Sequence, residues 1–301
     1  GTTYTYLGES TPYRQHIVCL NKTDDLNGII VESYDTEKEL IEAWRNEIIN
    51  SDADIITGYN IFHFDEKYIY DRCAKFLYQD KDNMLISKIS KLKDRVCRFR
   101  EIKLASSALG DNELRLWNSP GRVHIDLMKD VQKTYKLSSY RLDYVSSNFI
   151  RGEIKSIKKK GKNYKLYCNN IDDIFKEDYI HIEIIRGFVS DFIGKKYFIK
   201  KINTDKNILT VKTDIDLENE VDFSLGKVYW SQAKDDVGPK DIFRMFTQTS
   251  KDRGVVAKYC VKDCRLVNLL VNKLEVVTKN IEMSNVCFVP LSYLFTRGQG
   301  I

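Results

Sequence analysis

Residues 52–65 have the sequence DADIITGYNIFHFD, and the interpretation of the whole chain starts from this stretch. Residues 54–59 predict a short strand, because two isoleucines and an aromatic residue lie between acidic residues and Asn60. A helix is expected to begin at Asp65, which is then either a helix cap or one ligand of a metal site. The apolar face of this helix is predicted to comprise Tyr68, Ile69, Arg72 or Cys73, Phe76 and Leu77.

The composition is that of a globular protein rather than a membrane protein. The chain has 301 residues, of which 43% are hydrophobic, enough for one large domain or two smaller ones. No apolar run approaches the roughly 20 residues of a spanning helix, and the first residues lack the pattern of a signal peptide. The seven cysteines never form C-x-x-C, which disfavours a disulfide framework or a zinc site and favours a reducing compartment. A net charge of +5 permits nucleic-acid binding without requiring it.

The segments before this stretch predict two strands and a helix. Residues 16–20 and 28–33 are expected to form an antiparallel pair, because a short polar loop connects them. A helix follows, with Asp35 and Thr36 as candidates for its cap. The sequence from Asp35 to Glu37 resembles a paired-carboxylate D-x-E motif, but its position at a helix start favours capping, and we reject it as a site.

The segments after this stretch predict a loop with short strands, then a strand and two helices. Residues 80–120 are polar and irregular, apart from a strand-like LRLW. Residues 121–127 alternate as a strand that places Asp126 on its polar face, toward a cleft or toward solvent. Helices are expected at 128–135 and 139–149, with two serines between them as break and cap.

A basic, strand-rich segment begins where the composition changes. Residues 151–165 contain six lysines and one arginine against one glutamate. From about 154 to 230, short alternating segments separated by polar turns predict a small all-β insertion. Its lysines and tyrosines are either a solvated polar surface or a contact for a phosphate backbone. The tyrosines in question are Tyr164, Tyr167 and Tyr197.

A single long helix is predicted over residues 252–282, with an apolar stripe that begins at Val256 and Tyr259 and that Asp263 interrupts. An ionised carboxylate on a buried face is unfavourable by several kcal/mol unless it is paired or binds a metal. Tyr259 lies one turn earlier, where its hydroxyl could orient a water molecule. Together, the N-x-x-x-F-D of residues 60–65 and the Y-x-x-x-D of 259–263 supply two hard oxygen ligands suited to Mg²⁺ or Mn²⁺. Two such metals across a phosphodiester would promote its hydrolysis.

Four blocks of the sequence, in family order, resemble the proofreading 3′→5′ exonuclease region of family B DNA polymerases. The likeness is strongest to the delta-type replicative enzyme of eukaryotes and its relatives in large DNA viruses. The blocks cover most of the chain outside the insertion. They are 52–65, 121–127 with 136–149 (GRVHIDL and KLSSYRLDYVSSNF), 259–263 (YCVKD) and 283–299 (MSNVCFVPLSYLFTRGQ).

The resemblance implies an α/β, ribonuclease-H-like exonuclease fold, with a mixed sheet, flanking helices and the small all-β insertion. It implies that Asp65 and Asp263 are catalytic carboxylates that bind Mg²⁺ or Mn²⁺ in a two-metal site. Tyr259 would orient the attacking water. Asn60 and Phe64 would hold the frayed primer end through a hydrogen bond and a stacking wedge.

The same resemblance implies a division of the chain and a set of partners. Exonuclease residues are expected at 1–153 and 231–282, the insertion at 154–230, and the start of the connection to the polymerase palm at 283–301. The partners are primer–template DNA, the single-stranded primer 3′ end and the remainder of the polymerase chain, with a sliding clamp as a further candidate and no membrane. The expected location is the nucleus or a cytoplasmic viral replication site.

Two departures from the family pattern shape the prediction. The first exonuclease motif, a D-x-E, is expected before Gly1, so this chain would be a piece of a larger protein that alone binds DNA weakly and cleaves poorly or not at all. The insertion is also larger than usual for the family. A stand-alone exonuclease is an alternative that residues 283–299 disfavour, and a non-catalytic DNA-binding module, in which Asp65 and Asp263 are structural, is another.

Overall fold

A computed structural model describes residues 1–76, 86–106, 110–187, 189–235 and 237–297. The strands are β1 (Thr2–Tyr4), β2 (Arg14–Leu20), β3 (Ile30–Tyr34), β4 (Ile55–Gly58), β5 (Arg98–Ser106), β6 (Gly110–Asn118), β7 (Val123–Asp126), β8 (Arg151–Lys160), β9 (Asn163–Cys168), β10 (Tyr179–Arg186), β11 (Val189–Asn203), β12 (Ile208–Lys212) and β13 (Lys227–Ala233). The helices are α1 (Glu37–Ser51), α2 (Asp65–Ala74), α3 (Leu127–Thr134), α4 (Leu142–Phe149), α5 (Leu217–Glu220), α6 (Pro239–Phe246), α7 (Ser250–Lys273), α8 (Val276–Cys287) and α9 (Leu291–Thr296). Two compact units divide the chain, one made of residues 1–138 and 237–301 and the other of 139–236.

The first unit contains β1 to β7 in three small sheets. β1 pairs with β2 in antiparallel orientation, β2 with β3 in parallel, and β4 with β7 in parallel. The antiparallel pairing predicted for β2 and β3 is therefore wrong. The connection of residues 21–29, fully extended, spans up to about 30 Å, which is enough to return along β2. The region of residues 80–120, predicted as a loop with short strands, contains the antiparallel hairpin of β5 and β6, and its residues 80–85 and 107–109 lie outside the described part.

Helix α1 begins as predicted, because Thr36 caps it in a capping box with Glu39. The single long helix predicted over 252–282 is wrong, because α7 ends and α8 begins around Glu275, whose φ is 49°. No proline or glycine marks this break. The left-handed residue is unfavourable by about 1–2 kcal/mol, which burial of the β-branched Val276 and Val277 offsets.

The second unit is a closed β-barrel with a helix packed against it. The strands follow the order β10-β11-β12-β9-β8-β13 with antiparallel pairing, and α4 packs against β13. The barrel interior is apolar and includes Trp230 and Tyr197, which are almost fully buried. The serine cap predicted for α4 is wrong, because the helix begins at Leu142 after Arg141.

The predicted fold class, a mixed α/β architecture with flanking helices and an all-β insertion, is confirmed. In the described residues, no helix has the length and apolar character needed to cross a membrane.

Candidate active site

The loop after β4 carries the first predicted site residues, and the rest of the unit fixes its path. A Cβ added at Gly58 would lie 2.3 Å from Cγ2 of Ile61, so the chain turns here in a space that only glycine fits. Ile61 and Phe62 are buried against β6, and the carbonyl oxygen of Phe62 accepts a hydrogen bond of 2.9 Å from the Arg115 N–H. This loop is therefore anchored to the hairpin.

Asp126, at the end of β7, holds the loop from the other side. Its carboxylate accepts hydrogen bonds from the backbone N–H groups of Asn60 (2.8 Å), Phe62 (3.1 Å) and Met128 (3.0 Å). Only 1% of Asp126 is exposed, and burial raises the pKa of its carboxyl group to about 6, although the three N–H donors oppose the shift. The prediction that Asp126 points to a cleft or to solvent is thus wrong, because the side chain turns into the protein and binds the loop.

Asp65 is the first residue of α2 and lies at the protein surface. Phe64 occupies the cap position, so the interpretation of Asp65 as the cap is wrong by one position, although an acidic residue in the first turn still favours the helix. Asp65 is exposed, yet protein atoms crowded around its carboxyl group desolvate it and raise its pKa, and the neighbouring Glu66 carboxylate adds to the effect. Tyr68, predicted to be buried, is 54% exposed and stacks on Phe64, which is 64% exposed. A surface carboxylate and two exposed aromatic rings therefore lie together.

Glu66 holds the first turn of α2 against β6 and β7. Its buried carboxylate lies 2.6 Å from Nδ1 of His124 and accepts the backbone N–H of Trp117. The other ring nitrogen of His124 lies 2.9 Å from Oγ of Ser119. The helix start is thus tied to β7 and to the end of β6.

Tyr259 and Asp263 both lie on α7, one turn apart, and both are half-buried. The predicted apolar stripe through Val256 and Tyr259 is shifted, because the buried face of α7 instead includes Gly254, Ala257 and Val261. Ala257 and Val261 pack with Ile17 of β2. Asp263 therefore lies beside the buried face and not within it, which leaves its carboxylate near the surface.

Asp65 and Asp263 are far apart in the sequence but lie in the same region of the fold. Helix α7 packs against β4, the strand that leads to Asp65. Burial raises the pKa of the Cys264 thiol, and the negative charges of both Asp263 and Asp65 raise it further, so both carboxylates lie close enough to act on this group. Sγ of Cys264 is 3.2 Å from the carbonyl oxygen of Gly1, so the start of β1 lies at the same place.

The donor set at this place suits a hard divalent cation, because both side chains offer carboxylate oxygens. In the described ranges, no three or more His, Cys, Asp or Glu residues form a group with metal-binding geometry. Asp65 and Asp263 would offer two carboxylate ligands, and two ligands alone do not complete the coordination of such a cation.

The sequence prediction missed Asp126 and the pair of Glu66 with His124 as the groups that position the loop. A signal for two of these residues was present in the sequence. His124 and Asp126 are two positions apart and so share one face of a short strand that also carries apolar residues. Ionisable groups on such a strand are expected to have hydrogen-bond partners when they are buried. No comparable signal marked Glu66, since its neighbour Asp65 fits the motif better.

Comparison with known proteins gives matches along the whole chain. Residues 3–145 match the family model described as "DNA polymerase family B, exonuclease domain". The chain is 40% identical over its full length to the DNA polymerase of Pyramimonas orientalis virus and 30% identical to that of Acanthamoeba polyphaga mimivirus, and it spans 23% of each. It is also 26% identical, over 98% of its length, to the DNA polymerase delta catalytic subunit of Dictyostelium discoideum, of which it spans 19%.

Proposed function

The chain belongs to the exonuclease domain family of the family B DNA polymerases, as its motifs predicted, and on this premise we propose that it removes mispaired nucleotides from a primer 3′ end during DNA replication. The reaction is hydrolysis of the last phosphodiester of the primer. The observation that carries the proposal is the packing of α7, which carries Asp263, against β4, the strand whose following loop leads to Asp65.

The residues on α7 and α2 take distinct roles in this proposal. Asp65 and Asp263 hold divalent metal, Mg²⁺ or Mn²⁺, which would polarise the scissile phosphate and lower the pKa of the attacking water. Tyr259, one turn before Asp263 on the same helix, orients that water through its hydroxyl. A bound cation would favour the charged form of Asp65, which the desolvating surroundings disfavour.

The loop after β4 holds the single-stranded primer end. The exposed Phe64 ring, stacked on Tyr68, offers a face on which a terminal base can stack. Within the described part of the chain, Oδ1 of the half-buried Asn60 accepts no hydrogen bond, and a rotation of this side chain would offer the oxygen to a donor such as the primer 3′ hydroxyl. Asp126 keeps this loop in place without touching the substrate.

The remaining partners and the location follow from the proposed substrate. We propose that primer–template DNA and the rest of the polymerase chain complete the site, with a sliding clamp as a further partner. A chain that contributes two carboxylates cleaves poorly or not at all by itself. Replication of DNA places the protein in the nucleus or in a cytoplasmic viral replication site.

The test is excision of a 3′-mismatched primer by the full-length polymerase with Mg²⁺ or Mn²⁺. Asp65→Ala and Asp263→Ala are each expected to lower excision more than about 100-fold, because a metal loses a ligand. Asp71→Ala is the matched control: it removes an exposed carboxylate from the same helix as Asp65, where it pairs with Lys67. DNA synthesis from a matched primer should be the same in all three variants.

Unchanged excision in Asp65→Ala and Asp263→Ala would contradict the metal-ligand assignment and favour a DNA-binding module. Tyr259→Phe separates the roles further. This variant keeps the metal ligands, so metal dependence should stay the same while the rate of excision falls.

A further inference from the structure

The outer face of β8, β9, β12 and β11 presents three rows of side chains that run across the strands. Strand register places residues directly opposite one another in each row. Neighbouring strands lie about 4.8 Å apart, so each row spans about 14 Å. We call this surface the lysine face. From β8 to β11 its rows are Ser156, Tyr167, the buried Ile208, Asn203; Lys158, Lys165, Thr210, Lys201; and Lys160, Asn163, Lys212, Phe198.

None of these rows contains a carboxylate, and two of the lysines lie directly opposite each other on neighbouring strands. Lys158 lies directly across from Lys165, and Lys201 extends the same row. Among the described residues none of these three lysines forms an ion pair. Like charges directly opposite each other on a sheet are destabilising. A bound polyanion would relieve this repulsion and gain a salt-dependent affinity.

Aromatic rings flank the middle row of lysines on both sides. Nζ of Lys158 lies 5.6 Å from the ring centroid of Tyr167, in the first row. In the third row Phe198 is 39% exposed, and its ring contacts Tyr179 edge-on, with centroids 5.4 Å apart. A surface that combines cations with partly exposed rings suits unpaired bases and their phosphates, because bases stacked within a duplex have no free face.

We propose that the lysine face of the β-barrel binds single-stranded DNA, with Lys158, Lys165 and Lys201 on the phosphates and Tyr167 and Phe198 stacking on bases. The cations and rings select a single-stranded nucleic acid, and the choice of DNA rests on the proposed function. The barrel is then a second DNA-binding site, made entirely of residues in the 139–236 unit and separate from the residues proposed for excision.

The test measures binding of fluorescein-labelled oligo(dT) to the chain by anisotropy, at several salt concentrations and with EDTA present so that excision plays no part. A variant with Lys158→Gln, Lys165→Gln and Lys201→Gln is compared with a control of equal charge, Lys38→Gln, Lys176→Gln and Lys227→Gln. The first is expected to reduce the slope of log affinity against log salt by about 2, and affinity at low salt by about 100-fold. The control, whose lysines lie elsewhere, should keep the slope of the wild type.

The aromatic part of the proposal has its own variants. Tyr167→Leu and Phe198→Leu should each weaken binding by about 5-fold or more at all salt concentrations, since base stacking contributes about 1–3 kcal/mol. A matched duplex should bind the wild type more weakly than oligo(dT). Equal loss of binding in the lysine variant and in its control, or preference for the duplex, would overturn the proposal.

Lysine acylation of the wild-type chain, read by mass spectrometry, gives a measurement that needs no variant. Oligo(dT) should protect Lys158, Lys165 and Lys201 while leaving Lys38 and Lys227 reactive. The reverse pattern would contradict the proposal. Neither experiment depends on metal, so failure of the lysine face to bind DNA leaves the excision test intact, and the loss of excision in Asp65→Ala says nothing about the barrel.

Discussion

Replacement of Asp126 tests whether a buried carboxylate positions the loop that carries Asn60 and Phe64. Asp126→Ala removes the acceptor of three backbone N–H groups, one of them belonging to the fully buried Phe62. At about 1–1.5 kcal/mol for each hydrogen bond, the gross loss of stability is about 4 kcal/mol. The substitution also removes the unfavourable free energy of a buried charge, which partly offsets this loss. The size of that offset depends on pH.

The pKa of Asp126 gives the sign and size of that pH dependence. Burial raises the pKa from its ordinary value of 3.8 to about 6 in the folded chain. Between these values the folded chain holds a proton that the unfolded chain has released, so the stability of the wild type falls as the pH rises from about 4 through about 6. The shift of about two pKa units corresponds to about 3 kcal/mol. Asp126→Ala is therefore expected to lower the free energy of unfolding by about 4 kcal/mol near pH 4 and by about 1 kcal/mol near pH 7.5.

Urea unfolding of the chain at pH 4, 5, 6 and 7.5 measures this difference. Asp126→Asn is the matched control, because it also lacks a titrating group and keeps an oxygen acceptor. The two variants should therefore show parallel pH dependence, with asparagine the more stable. If Asp126→Ala were equally destabilising at all four values of pH, the reasoning from the buried carboxylate would be refuted.

The functional consequence concerns the loop itself. In the full-length polymerase near pH 7.5, Asp126→Ala should lower mismatch excision by about 100-fold, because displacement of a positioned group by about 1 Å has effects of that size. DNA synthesis on a matched primer should not change. Normal excision would show that the loop keeps its conformation without Asp126.

Three further substitutions test the supports around the site, each by chemical or thermal unfolding of the chain. Gly58→Ala should destabilise it by about 1–3 kcal/mol, because the new Cβ meets Ile61 Cγ2, and an unaltered midpoint would argue against the tight turn. His124→Phe should destabilise it by about 3 kcal/mol, since buried Glu66 loses its ring partner, and a loss below about 1 kcal/mol would contradict a buried pair. Thr249→Ala should remove about 1 kcal/mol by opening the capping box of α7, and no fall in the melting temperature would exclude that role.

The sequence predicted the elements that depend on local patterns. The capping box at Thr36, the strand before Asn60 and the insertion of alternating strands all follow from residues within a few positions of one another. The parallel partner of β2 and the break at Glu275 do not, because they depend on what the segments pack against. Local propensity gives no information about those contacts.

The candidate site also has features that local sequence predicts and features that depend on packing. Asp65 and Asp263 were predicted as metal ligands from short motifs and from the family resemblance that those motifs carry. That the two residues lie near each other depends on the packing of α7 on β4, which no motif encodes. The raised pKa of Asp126 likewise depends on the burial of its side chain. Asp126 was assigned to the correct strand face, but its direction into the protein depended on donors from a loop about 65 residues earlier in the chain.

The position of Asp65 depends chiefly on one short strand. His124 and Asp126 are two residues apart on β7 and so face the same side. His124 holds the first turn of α2 through Glu66, on the C-terminal side of Asp65, and Asp126 holds the loop at Asn60 and Phe62, on its N-terminal side. Because both contacts come from a strand that is itself paired with β4, Asp65 has little freedom to move relative to the sheet, even though it lies at the surface. An exposed carboxylate can therefore be held accurately enough for the metal site that we propose it shares with Asp263.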